Sequence, residues 1–101
     1  MQVNDNISII TAAGRNVVAN TMLLGGLRGE VSALTEKAVQ IVAQTRNGKT
    51  VTAWFPRKAL NVLRESNLAG SNETHVVAEM AAWFRPDGWT AKFMAMTEGV
   101  M

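Results

Sequence analysis

A chain of 101 residues that is 48% hydrophobic and 18% charged fits one domain with a single modest core, and it is too apolar for disorder. Cysteine is absent, which excludes disulfide scaffolds, thiolate metal sites and cysteine nucleophiles. The net charge of +2 is unevenly spread. Arg28, Lys37, Arg46, Lys49, Arg57, Lys58 and Arg64 meet only Glu30 and Glu36, whereas the chain from Glu65 onward carries more acids than bases.

The N-terminus, Met1-Gln2-Val3-Asn4-Asp5-Asn6, is polar and reads as no secretory signal. No apolar run approaches the ~20 residues that span a bilayer. A soluble, cytoplasmic protein without membrane attachment is expected. Residues 7–11 are β-branched and short, a strand. Residues 12–27 fit neither the helical nor the strand period; Gly14, Gly25, Gly26 and Gly29 bracket them as a loop-flanked element of either kind. Gly25-Gly26-Leu27-Arg28-Gly29 matches no phosphate-binding loop and reads as a connector.

Residues 28–34 form the next expected strand, Thr35-Glu36 a turn, and residues 37–45 another strand. Asn47-Gly48 suits a two-residue type I′ turn, since both residues tolerate positive φ, and residues 50–55 return as the partner. That turn sets Thr45 against Thr50, Ala43 against Thr52 and Ile41 against Trp54. Val39, Ile41 and Trp54 then share one face, and Val42, Val51, Ala53 and Phe55 the other. A ribbon apolar on both sides needs closure into a barrel or a second layer.

Pro56 ends the strand, and residues 57–64 suit a short helix with Leu60 and Leu63 facing inward. Residues 65–74 read as a polar loop. Pro86-Asp87-Gly88 is turn chemistry that would join strands 76–85 and 89–97 in a second hairpin. Val76, Met80, Phe84, Met94 and Met96 would share one face, and Val77, Trp83, Trp89 and Phe93 the other, again burying both sides. The fold expected is one domain over residues 1–101, mainly β and bordering on α+β. It is a small curled or SH3-like barrel of antiparallel strands, two hairpins plus one or two further strands, with one short helix near 57–64. The echo between Ala53-Trp54-Phe55-Pro56-Arg57 and Ala82-Trp83-Phe84-Arg85-Pro86 is too short to make a repeat.

Few residues point to chemistry. His75 is the only histidine and has no evident partner for catalysis or metal binding. The carboxylates are scattered, and the Asn-Ile-Ser and Asn-Glu-Thr triplets at 6 and 72 carry no weight without a secretory signal. No catalytic residue, metal or cofactor is expected. The basic middle is more informative. Arg46 and Lys49 flank a hairpin tip, and Trp54 and Phe55 precede Arg57 and Lys58. Small barrels bind single strands with such a set, stacking bases on exposed aromatics beside cations. Trp54 is equally suited to a core.

Residues 29–62 carry Gly29-Glu30-Val31, then Thr35-Glu36-Lys37-Ala38, then Trp54-Phe55-Pro56-Arg57. This resembles a pattern of small proteins from phages, plasmids and bacterial genomic islands, G-E-V, T-E-K-A and W-x-P-K-S. Arg57-Lys58 stands where Lys-Ser is commoner. The resemblance implies a compact β-meander with a short helical corner and implies no activity. Three functions are therefore set out. The first is a non-enzymatic accessory protein touching nucleic acid through Arg46, Lys49, Trp54, Arg57 and Lys58. The second is an interaction module, a homodimer formed through Trp83, Trp89 and Phe93 of the last hairpin. The third is a barrel that binds a small molecule.

Overall fold

The computed structural model describes residues 1–11, 26–67 and 74–98; the ambiguous element at 12–25 lies outside them. Among the described residues six strands form one sheet: β1 (Asn6–Ile10), β2 (Gly26–Leu34), β3 (Ala38–Gln44), β4 (Thr50–Pro56), β5 (Leu60–Asn67) and β6 (Thr74–Met80). A single 3-10 turn, Arg57–Ala59, separates β4 from β5, and helix α1 spans Gly88–Thr97. The spatial order is β4-β3-β2-β1-β6-β5. All pairings are antiparallel except β1 with β6, which run parallel. The mainly β, curled sheet expected from the sequence is what the chain adopts. It is mixed rather than wholly antiparallel, and it stays open, with β4 and β5 as its edges.

The curl originates in β2. Its first half, Gly26 to Glu30, pairs with β1, and its second half, Glu30 to Leu34, pairs with β3, with an irregularity between Val31 and Ala33. Gly29 lies where the strand changes partner. A Cβ built on it would stand 2.3 Å from the backbone oxygen of Val42, so only glycine lets β2 cross β3 this closely. Gly26 and Gly29 are thus strand residues rather than a connector.

The β3–β4 hairpin differs from the two-residue turn by one residue. Thr45 N donates to Lys49 O at 2.8 Å, and Gly48 N donates to Thr45 O at 2.9 Å. Gly48 has φ +81° and Asn47 is not in the left-handed region. This is a type I turn closed by a glycine bulge. The pairs become Gln40–Trp54, Ile41–Ala53, Val42–Thr52 and Ala43–Val51. A one-residue slip moves every side chain to the opposite face. Val39, Ile41, Ala43, Ala53 and Phe55 therefore share a buried face. Gln40, Gln44, Thr50, Thr52 and Trp54 share the other. The ribbon is amphipathic, and the expectation of two apolar faces is overturned.

The buried face continues through Ile7, Ile9, Leu27, Val31, Val76 and Ala78. Helix α1 lies on it through Phe93, whose ring meets Phe55 at 5.9 Å in an edge-on contact of 68°. Residues 89–97 are therefore helix, not the second strand of a hairpin. Ala91, Lys92, Met94, Ala95 and Met96 are good helix formers. The Pro86-Asp87-Gly88 turn leads into the helix through an extended Asp87 and a Gly88 at φ +51°. The helix expected at 57–64 is reduced to the 3-10 turn, and from Leu60 the chain pairs with β6. The free edge of β6 offers a full ladder of hydrogen bonds, which outweighs a short helix's weak local preference. Residues 65–67 and 74 belong to these strands; 68–73 lie outside the described residues.

A tight turn precedes β1. Asp5 N donates to Gln2 O at 3.1 Å, and Gln2 N donates to the Asp5 carboxylate at 2.7 Å. Asn4, third in the turn, has φ +75°, a conformation that suits asparagine and glycine and strains β-branched side chains. Asn4→Val should lower stability by about 1–2 kcal/mol in urea denaturation, whereas Asn4→Gly should leave it unchanged or raised.

Candidate nucleic-acid interface

Cross-strand register builds the site on the face opposite the core. Along β4 the outward row is Thr50, Thr52 and Trp54; beside it β3 presents Gln44, Val42 and Gln40. Beyond these, β2 presents Arg28 and Glu30, with Glu30 opposite Val42. Past that pair β2 and β3 diverge, because β2 turns to β1 while β3 stays with β4. Their separation opens a cleft of about 430 Å³ lined by Asn6, Arg28, Glu30, Gln44 and Thr50. Amide, hydroxyl, guanidinium and carboxylate groups converge there; the first three hydrogen-bond to phosphates, sugars and base edges, while the Glu30 carboxylate accepts from base donors and repels phosphate.

Trp54 is 45% exposed on this face, which settles its placement outside the core. At one end of β4 the hairpin tip carries Arg46 and Lys49, both exposed. At the other end Arg57 and Lys58 follow Pro56. Arg57 is held by two bonds to the β2–β3 loop, Nη1 to Thr35 O at 3.1 Å and backbone N to Lys37 O at 2.8 Å. Among the described residues Arg46, Lys49 and Lys58 make no ion pair, so their charge faces water. At ~3.3 Å per strand residue the two cationic ends stand roughly 25 Å apart, with Trp54 nearer the second. Arg28, counted in the basic 28–64 segment but not among the expected site residues, joins the face. It pairs with Ser8 of β1 and lines the same cleft as Gln44 because β2 leaves β3 beyond Glu30, and nothing local announces that.

The three residues expected at a dimer interface do not share a surface. Phe93 is wholly buried against Phe55, because the hairpin that would present it is a helix. Trp83 is 62% exposed and packs edge-on against Phe84. Trp89 is 52% exposed, and its Nε1 donates to Thr52 O at 2.6 Å. Thr90 Oγ1 reaches Trp54 O at 3.5 Å. These two bonds occupy carbonyls along the β4 edge that would otherwise invite pairing.

His75 acquires a partner that sequence did not show. Its Nε2 lies 3.0 Å from Ser8 Oγ, 67 positions away in the chain, because β1 and β6 are parallel neighbours. Ser8 is buried and His75 half-buried, so the bond satisfies a hydroxyl shielded from water. Among the described residues no group of three or more histidine or carboxylate side chains could hold a metal ion. No helix among them is long and apolar enough to cross a membrane. Together, fold and site define a small curled-sheet domain with one polar sheet face, an exposed tryptophan and cations at both ends. Comparison with protein families, curated proteins and solved structures finds no match.

Proposed function

We propose that the protein is a non-enzymatic accessory protein that binds single-stranded nucleic acid across the outward face of β2, β3 and β4. The observation that carries this reading is the exposure of Trp54 between two cationic ends of one strand. An indole lying on an open sheet face offers a stacking platform to an unpaired base, whatever its identity. Arg46 and Lys49 neutralise phosphates on one side, and Arg57 and Lys58 on the other. Thr50, Thr52, Gln40 and Gln44 offer hydrogen bonds between them. A duplex keeps its bases stacked on one another and cannot use the ring in this way.

The test is the affinity for oligothymidylate of roughly 12 nucleotides, within the range that one small β-barrel domain covers. Four phosphate contacts on a single strand give a slope of about −2.8 in log affinity against log salt. Affinity should therefore fall roughly 50-fold between about 50 and 200 mM salt. Absence of binding at the lower salt, or binding that ignores salt, removes the proposal.

A second reading, a homodimer, keeps Trp83 of the three residues expected at its interface and adds two residues of β5. Trp83 is exposed, and Val62 and Leu63 lie exposed on the β5 edge. Light scattering at high concentration decides it; a strict monomer removes this reading.

A further inference from the structure

Trp89 is held at its nitrogen and open at its ring. The Nε1 bond to Thr52 O fixes the N–H edge of the indole against β4. Half of the side chain nevertheless faces water. Protection of a sheet edge calls for a donor or a charge, not for a large apolar ring left half in solvent. The anchoring carbonyl lies two residues along β4 from Trp54, roughly 6.6 Å at the usual strand rise, a step that an extended nucleic-acid strand can match base for base. Lys92, three residues after Trp89 and therefore its neighbour on the helix surface, is exposed and is the only charged side chain of α1.

We propose that Trp89 is a second stacking platform. A single strand crossing the outward face over Trp54 turns around the β4 edge and lays its next base on Trp89, with Lys92 meeting the phosphate beyond. This inference rests on the nucleic-acid reading of the outward face and extends it onto the helix. The path explains why the edge is closed by side chains of α1 rather than by a further strand: a paired strand there would block the turn. It agrees with a single-stranded ligand, because a duplex is too stiff to fold over a sheet edge.

The experiment uses three variants that each keep one tryptophan, the other two being replaced by phenylalanine, checked for native circular dichroism. Each is titrated with oligothymidylate at about 50 mM salt while indole fluorescence is followed. Quenching is expected in the proteins that keep Trp54 or Trp89, and none in the one that keeps Trp83. Trp89→Ala should weaken binding by about 5- to 150-fold, the range for loss of one stacked base. In the unsubstituted protein the Trp89 indole N–H resonance should shift together with that of Trp54, which keeps the question open to measurement if a variant misfolds. Quenching and shift at Trp54 with silence at Trp89 overturn this inference and leave the outward face as the binding site. No binding and no shift at either ring overturn both.

Discussion

Gly29→Ala is expected to destabilise the protein by about 3 kcal/mol or more, the upper end of what overpacking causes. The added methyl would meet the Val42 carbonyl oxygen at 2.3 Å and Ile41 Cγ2 at 3.0 Å. The first of these is backbone, and β3 is held between β2 and β4, so it cannot retreat without breaking a ladder. Relief must come from β2, and straightening β2 undoes the curl that lets it serve β1 and β3 in turn. Gly48→Ala is the control. Gly48 has open space around the position but φ +81°, so alanine there carries only the left-handed penalty of about 1–2 kcal/mol. Urea midpoints of the two variants should separate clearly. Equal midpoints would mean that β2 does not cross β3 as closely as described.

Phe93→Ala should remove about 3–5 kcal/mol, the usual range for a fully buried phenylalanine, with the edge-on contact to Phe55 contributing to that loss. Against a typical total of about 5–15 kcal/mol, that is at least about a fifth of the stability and all of it at the lower bound. The effect is large because Phe93 is the residue that seats α1 on the sheet, with Thr97 beside it one turn later. Trp83→Ala, at an exposed ring, should change stability by no more than about 0.5 kcal/mol. A hairpin over residues 76–97 would place Trp83, Trp89 and Phe93 on one face and make the two substitutions comparable. Thermal denaturation of the pair therefore separates helix from hairpin.

The β2–β3–β4 meander was legible because turn residues and β-branched runs are local signals. The register was not. Asn47-Gly48 satisfies a two-residue turn, and Gly48 alone satisfies a three-residue turn with a bulge. The difference is whether Asn47 takes positive φ, which composition does not decide. That one residue determined whether Trp54 and its strand neighbours Thr50 and Thr52 share a face with Val39 and Ile41 or with Gln40 and Gln44, and so whether Trp54 belonged to core or surface. The exchange of helix for strand at 60–64, of loop for strand at 65–67, and of strand for helix at 89–97 has a non-local cause. The unpaired edge of β6 takes the first two segments, and the exposed core face above Phe55 takes the third. Arg46, Lys49, Arg57 and Lys58 were identifiable as a charged segment. Their placement at the two ends of β4 follows from their flanking that strand in the chain, whereas the position of Arg28 on the cleft and the pairing of Ser8 with His75 depend on contacts distant in sequence.

Substitution of Trp54 by alanine probes the whole scheme at a single position, read in parallel as oligothymidylate affinity and melting temperature. An outward-facing indole that stacks a base predicts affinity down by about 5- to 150-fold with the melting temperature almost unmoved. Undiminished affinity, or a loss of stability as large as that of Phe93→Ala, would contradict it.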